Sequence, residues 1–597
     1  MDSKVEFFVE SICHALMLSL FFLIASFCSV FFWRASWGVD SLFFSIGIDL
    51  AFLVGLSVFV AAAASILKWR VLVVRGWVLL LYFFVLAQFQ YQSKTGYFFS
   101  LEMVAYVVDG RFEALNVLSS GLNVEFWFYL FGVLFLFMVP VLEANGVLPH
   151  SKILHVALAC VVLVAVVSMP YSWAKDWRGS SLFHGLIPES DGVYLGGNGV
   201  YSAGQRSTVG TVVGDKVNIL IVVLESTRAR SLPGFGVIGR QADMPNLVAL
   251  MEKSRVYERA YTVTPHTSKA LVGLLCGIHP NPVAGIVEAR GANIPTVCLP
   301  ELLKGVGYRS LFIQSATEDF EQRRSLVKNF GFDKFLAKEQ IGAGFKSFGY
   351  FGLDEMAMLD PLREWWRQDQ RPMLTVLLTS MTHHPYEGLA KREEGTEEER
   401  YLEVLSYSDR FLGRLFDELK SSGKLSDTVV FIVGDHGEAF GEHGRMQHSV
   451  VPFEEVVHVP LMVFDGRGQI VPGRDQGLRQ HIDILPSVVS LIVGEENILP
   501  GKSIFSSSGH ERIFINCLWS RSCLSMVEGK DKWIYFPSLK RVFKFSVLTD
   551  PAEATELEVD KEQAESVIGQ IMSHQGLLRD FYSPSASTSA CEKLQGC

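Results

Sequence analysis

A bundle of membrane helices followed by an α/β domain built on a largely parallel sheet is the architecture this sequence predicts. Three observations carry it. Apolar residues crowd into the first 173 positions of a 597-residue chain. From Val217 onward, continuous apolar β-branched runs alternate with helical patterns. Several of those runs end directly in carboxylates, histidines or hydroxyls.

The composition agrees with a membrane part. The chain is 49% hydrophobic but only 19% charged, below the quarter usual for soluble domains, and its mean hydropathy is +0.27. Crossing a ~30 Å hydrocarbon core takes ~20 apolar residues. Five segments qualify: Ala15 to Trp33, Leu42 to Leu67, Gly76 to Gln90, Phe126 to Leu142 and Leu154 to Trp173. Five spans in series are not explained by one cleavable leader. Lys4, Lys68, Arg70, Arg75 and Lys152 fall on one side of the membrane, against Arg34, Lys94 and Arg111 on the other. The side richer in Lys and Arg faces the cytoplasm. An odd number of spans then leaves everything after Trp173 outside. The net charge of -10 excludes a nucleic-acid binder driven by bulk basicity, and the apolar content excludes disorder as the dominant state.

The chain divides into a five-helix membrane domain (1–173), a Gly- and Ser-rich linker along the membrane surface (174–216), one α/β domain (217–582) and a flexible tail (583–597). Six cysteines lie beyond the spans: Cys276, Cys298, Cys517, Cys523, Cys591 and Cys597. They fall into sequence-local pairs, which an oxidising compartment permits to close as disulfides. Proximity alone favours that pairing among the 15 possible.

Within the α/β domain, VNILIVVL (217–224), Arg309 to Gln314, Met373 to Ser380 and Thr428 to Val433 read as strands buried on both faces. Glu397 to Leu419 reads as a helix. Ligands bind beyond the carboxyl ends of such strands, so the residues that follow them matter most. Glu225 follows the first strand and offers a hard oxygen ligand. Asp435 and His436 follow the fourth, in GDHGEAFGEHG, and offer an oxygen and a nitrogen. Thr267 and Ser268 open an apolar helical run, where N–H groups and the helix dipole favour negative charge. His383 and His384 follow the third strand, and His448 lies in GRMQHS. Histidines hold phosphate oxygens or move protons near neutrality. Taken singly, each of these residues reads as readily as a cap or a structural side chain.

Together they resemble the alkaline phosphatase and sulfatase superfamily. NILIVVLESTR is similar to its first metal-binding strand, GDHGEAFGEHG to its second, and LTDPAEATEL (548–557) to the sulfatase terminal motif. Thr267 stands ten residues before Gly277 of Leu-Leu-Cys-Gly, where sulfatases carry a Cys or Ser nucleophile. Their paired aspartates are a single Glu225 here. Threonine with glutamate resembles the membrane branch, which includes lipoteichoic acid synthases and lipid A phosphoethanolamine transferases. The resemblance implies a sulfatase-like α/β fold and one divalent ion, Mn2+ or Zn2+, on Glu225, Thr267, Asp435 and His436. It implies Thr267 as nucleophile, with His384 and His448 in catalysis.

It further implies headgroup contacts at Arg323, within FEQRRSLVKNFG, and at His384 of HHPY. That family's Trp is Glu321 here and its upstream His is Gln314. Gln314, His383, Lys269 and Arg323 are the expected substrate-binding set, Lys269 and Arg323 clamping nonbridging oxygens. The activity implied is transfer of a phosphoglycerol or phosphoethanolamine headgroup from phosphatidylglycerol or phosphatidylethanolamine to a glycan or lipid acceptor, outside a bacterial inner membrane, through a phospho-threonine intermediate. A membrane-bound phosphodiesterase or sulfatase-like hydrolase is the second reading, and a non-catalytic protein on the same fold the third. Threonine does not yield formylglycine, which argues against an ordinary sulfatase.

Overall fold

A computed structural model describes residues 217–583, apart from 236–238, 283–284, 292–293, 343, 349–351, 369, 387–394, 449–450, 494–499, 518–522 and 538–540. The five expected spans, the linker, the tail beyond Ser583 and the Cys591/Cys597 pair lie outside the described residues. Among the described residues no helix is long and apolar enough to cross a membrane.

The four apolar runs become strands. β1 (Asn218–Leu224), β3 (Arg309–Gln314), β5 (Met373–Leu378) and β6 (Thr428–Gly434) are buried at every position. They belong to an eight-stranded sheet with β2 (Ser254–Tyr261), β4 (Lys334–Leu336), β7 (His458–Asp465) and β8 (Gly473–Gln480), in the order β8-β2-β7-β6-β1-β5-β3-β4. β1, β3, β4, β5 and β6 pair in parallel. β7 runs antiparallel to both neighbours, β6 and β2, and β8 is parallel to β2.

Both faces of the sheet centre are covered, which is why its strands read as unbroken apolar runs. Leu220, Val222 and Leu224 of β1 share a core with Phe411, Leu412 and Leu415, while the alternate residues Ile219, Ile221 and Val223 are equally buried. The three phenylalanine and leucine positions belong to the helix Glu397–Ser421. Its start is closed by a reciprocal cap: the Glu399 N–H donates to Thr396 Oγ1, and the Thr396 N–H donates to Glu399 Oε2.

The helix that concerns the site is α1 (Thr267–Cys276), buried at every residue. It stops at Gly277, whose φ of 66° is left-handed and where a Cβ would sit 3.2 Å from the Leu485 Cβ. The sulfurs of Cys276 and Cys298 are at disulfide distance, as are those of Cys517 and Cys523.

A second, four-stranded antiparallel sheet runs β9 (Arg512–Asn516), β10 (Leu524–Glu528), β11 (Asp531–Phe536) and β12 (Arg541–Ser546). The helix Lys561–Phe581 packs on it through Val567 and Ile571. Lys532 of β11 is fully buried between Glu454 at 3.0 Å and Glu553 at 3.1 Å. Glu553 belongs to LTDPAEATEL, so that motif serves here as one half of a buried ion pair.

Candidate active site at the carboxyl ends of the central strands

Strand register brings the first two carboxylates together. Leu224 of β1 is the parallel partner of Gly434 of β6, so the next residues, Glu225 and Asp435, leave the sheet side by side. The path is held by backbone groups: the Glu225 N–H donates to Thr379 Oγ1 at 2.9 Å, and Thr382 Oγ1 donates to the Glu225 carbonyl. Thr267, at the first turn of α1, projects its Oγ1 to 3.2 Å from each Glu225 carboxylate oxygen and 3.2 Å from His436 Nε2.

Glu225, Asp435 and His436 present oxygen, oxygen and nitrogen within 4.8 Å of one another, all buried. His436 Nδ1 lies 2.9 Å from the Gly437 carbonyl. That contact places the ring hydrogen on Nδ1 and leaves the Nε2 lone pair toward Thr267. Asp435 Oδ1 accepts two backbone N–H groups, from Ser226 and His436, while its buried Oδ2 has no hydrogen-bond partner among the described residues. Burial and the neighbouring Asp435 push the Glu225 carboxyl up to about 8, and burial pushes Asp435 up to about 7. Burial, then the nearby His448, pulls His436 well below its ordinary range. A bare acceptor oxygen, two carboxyls destabilised as anions and an unprotonated imidazole are what a divalent cation requires, so these residues fit the ion the sequence implies.

Beside the cluster lie two further histidine rings. His448 stands 4.2 Å from His436, centroid to centroid, and 5.7 Å from His383. Glu438 orients it, with Oε1 3.3 Å from His448 Nδ1, and accepts the Tyr386 hydroxyl at 2.8 Å. Burial alone would lower His448, but Glu438 outweighs it and raises the ring above its usual range. The ring of His384, expected in catalysis, meets the edge of Tyr386, and its Nε2 is 3.9 Å from Glu397. His383, expected as a substrate contact, places its ring edge-on to His448.

Residues 217–494 match the sequence model of the Sulfatase family. This stretch is a sulfatase-family domain. The chain is 25% identical to lipoteichoic acid synthase 1 of Bacillus subtilis (strain 168), the match covering 36% of each. It is 22% identical to lipoteichoic acid synthase of Staphylococcus aureus (strain USA300), covering 36% of this chain and 35% of that one. The match thus spans about a third of these relatives' length. Among solved structures, a protein of the alkaline phosphatase superfamily from Vibrio parahaemolyticus superposes with a TM-score of 0.51 at 20% identity, over 66% of this chain and 91% of that one.

The remaining expected residues take different places around Thr267. Arg323 opens the helix Arg323–Phe330. It is buried, its Nη2 is 3.6 Å from Glu321, and its Nε and Nη1 make no hydrogen bond among the described residues. Gln314 ends β3, where its Nε2 donates to the Ala316 and Thr317 carbonyls and shapes the following loop.

Lys269 does not fit the expected clamp. Its ammonium is 2.8 Å from the buried Glu288 carboxylate and donates to the Asn281 carbonyl at 3.0 Å. Withdrawing it from Glu288 would leave a buried carboxylate unpaired. Glu438, which stands within GDHGE, and His266 and Glu321 were not among the expected site residues. His266 Nε2 is 2.9 Å from Glu321 Oε1, and Ser268 Oγ donates to Glu321 Oε2 at 2.5 Å.

Proposed function

We propose that the chain is a membrane-anchored, metal-dependent transferase of a phospholipid headgroup, working outside the cytoplasmic membrane of a bacterium. The observation that supports this best is the Thr267 hydroxyl at 3.2 Å from two Glu225 oxygens and His436 Nε2. A hydroxyl set among ligand atoms is one to be activated as a nucleophile. The divalent ion, when held by Glu225, Asp435 and His436, lowers the hydroxyl's pKa and neutralises charge that develops on phosphorus.

In this reading Thr267 Oγ1, reacting as the alkoxide and later released as the alkoxide, forms a bond to phosphorus, and the bond from phosphorus to the diacylglycerol oxygen breaks. His448, held by Glu438, delivers the proton to that oxygen. An acceptor hydroxyl, on a glycan or lipid, then attacks the threonine-bound headgroup. His448 takes its proton, and Thr267 is released. Arg323 supplies N–H donors to phosphate or headgroup oxygens.

The donor we favour is phosphatidylglycerol over phosphatidylethanolamine. The buried Arg323 guanidinium presents donors and positive charge, which suit hydroxyl and phosphate oxygens and repel an ammonium. Names of the matched relatives point the same way. The test is to incubate purified full-length protein, loaded with Mn2+ or Zn2+, with each labelled lipid beside Thr267→Ala. Diacylglycerol from phosphatidylglycerol, absent in the variant, is the expected result. Headgroup recovered only as free glycerol phosphate, whatever alcohol is supplied, would replace transfer by hydrolysis. No diacylglycerol from metal-loaded protein would refute the donor.

A further inference from the structure

A buried carboxyl outside the Glu225 cluster holds the strip of chain that braces it. β5 ends at Leu378, and the residues that follow grip the Glu225 backbone twice. Thr379 Oγ1 accepts the Glu225 N–H at 2.9 Å, and Thr382 Oγ1 donates to the Glu225 carbonyl. His383 comes next, its N–H donating to the Ser380 carbonyl at 3.2 Å.

Between the two threonines, the Ser380 and Met381 N–H groups donate to a single oxygen, Glu355 Oε1, at 3.2 and 3.1 Å. Ser408 Oγ, from the helix Glu397–Ser421, donates to Oε2 at 3.2 Å. Glu355 is fully buried. It opens a 3-10 turn (Glu355–Met358) whose start is fixed by Asp354: Oδ1 accepts the Met356 N–H at 3.0 Å and the Tyr407 hydroxyl at 2.7 Å. The segment leading to this turn passes close to the strip. A Cβ at Gly352 would lie 2.8 Å from Ser380 Oγ.

Ser380 and Met381 lie beyond the end of β5, so their N–H groups have no ladder partner, and buried donors need an acceptor. An apolar side chain at position 355 would fill the space and accept nothing. Both N–H groups reach the same oxygen, so the hold stands whether or not the other oxygen carries a proton. We propose that Glu355 is a positioning residue for the metal centre. By fixing Ser380 and Met381 it sets the two threonines that hold the Glu225 backbone, and with them the direction of the Glu225 carboxylate. This rests on the reading above in taking Glu225 as a ligand of the divalent ion.

The experiment uses full-length protein in detergent micelles and Mn2+ alone as the probe. Competition with a chelating dye gives affinity, and circular dichroism reports the fold. Glu355→Leu is expected to weaken Mn2+ binding about 10- to 100-fold, the range for loss of an outer partner, with the same stoichiometry at saturation. Glu355→Gln, whose amide oxygen takes both N–H groups, is expected to bind like wild type. Thr382→Val should also weaken binding. Combined with Glu355→Leu it should lose less than the product of the two losses, because both act through one strip. Lys532→Met, destabilised on the second sheet, should bind Mn2+ unchanged. If Glu355→Leu does not fold, Glu355→Asp takes its place, with a smaller loss expected because its carboxyl is withdrawn by one methylene. Unchanged affinity in that variant, losses that multiply in full, a Gln variant as weak as the Leu one, or an equal loss in Lys532→Met overturns the proposal and leaves the metal site standing. A wild type that binds no divalent ion would sink the metal reading itself, and the role of Glu355 with it.

Discussion

The Ser226 N–H donates to Asp435 Oδ1 at 2.8 Å, linking the exits of two adjacent parallel strands. The His436 N–H donates to the same oxygen at 2.7 Å. One carboxylate oxygen is thus a backbone staple, and the other, Oδ2, makes no hydrogen bond among the described residues and suits a ligand's role. Ser226 reaches this position with a left-handed φ of 48°, a conformation costly outside glycine.

Separating the two duties of Asp435 gives a sharp test. Asp435→Asn retains an oxygen for the staple and removes the anionic ligand. The folded state is expected to persist by circular dichroism. Metal measured by emission spectrometry is expected to fall from about one ion per chain to near zero. Affinity should drop by more than the ~10–100-fold that loss of an outer partner brings.

The pH dependence of the metal-free protein follows from the same cluster. Glu225 rises from 4.5 to about 8 and Asp435 from 3.8 to about 7. Between those limits the unfolded chain has lost protons that the folded chain keeps. Stability is therefore fully present below the unfolded values and lost as pH rises through the folded ones. His448, raised by Glu438, acts in the same direction. His436, lowered from 6.5, opposes it below that pH. The thermal midpoint in chelator is expected to fall between about pH 6.5 and 8. Added metal should reverse the fall and release protons, which titration in buffers of differing ionisation enthalpy would detect. A midpoint that climbs across this window would contradict the assignment.

Arg323→Gln tests the proposed contact between this guanidinium and the substrate. Glu321 keeps His266 and Ser268 as partners, so the local fold should hold. Affinity for glycerol phosphate is expected to weaken about 10- to 100-fold, the worth of charge-assisted hydrogen bonds, and discrimination against ethanolamine phosphate to shrink. Metal content should not change. Undiminished affinity for both phosphates would remove Arg323 from the site.

Lys532 makes a prediction about stability alone. Lys532→Met leaves Glu454 and Glu553 buried without their cation. Removing one member of such a group destabilises by about 3–5 kcal/mol. Adding Glu553→Gln should recover part of the loss, because the two changes act on one network. Denaturant titration of the single and double variants measures both, and additive losses would count against the buried network.

Legibility in the sequence tracked burial. β1, β3, β5 and β6 announce themselves because both faces are covered, and Glu225 and Asp435 follow from the strand ends they terminate. β8 reads GRDQGLRQ and is exposed over much of its length, so no periodic signal marks it. The second sheet was equally silent, its strands being short and mixed. In the site, Thr267 could be located by its spacing to Gly277. The pairing of Lys269 with Glu288 could not, since a lysine at a helix start looks alike whether it meets substrate or a buried acid. Where the rings of His383 and His384 fall depends on a loop that turns through Pro385 and Tyr386. Glu321 is 53 residues from Ser268, and Tyr386 is 52 from Glu438; contacts at such separations leave no local pattern.

Local chemistry along the chain by itself determined the α/β class of the domain, its strongest strands and the residue types at their carboxyl ends, because burial on two faces and a change from apolar to polar are written in consecutive residues. Only the tertiary structure decided which side chains face one another. That selection made Glu438 the support of His448, diverted Lys269 to Glu288 and set Glu321 against the two residues that flank Thr267, because it depends on how distant loops cross at the edge of one sheet.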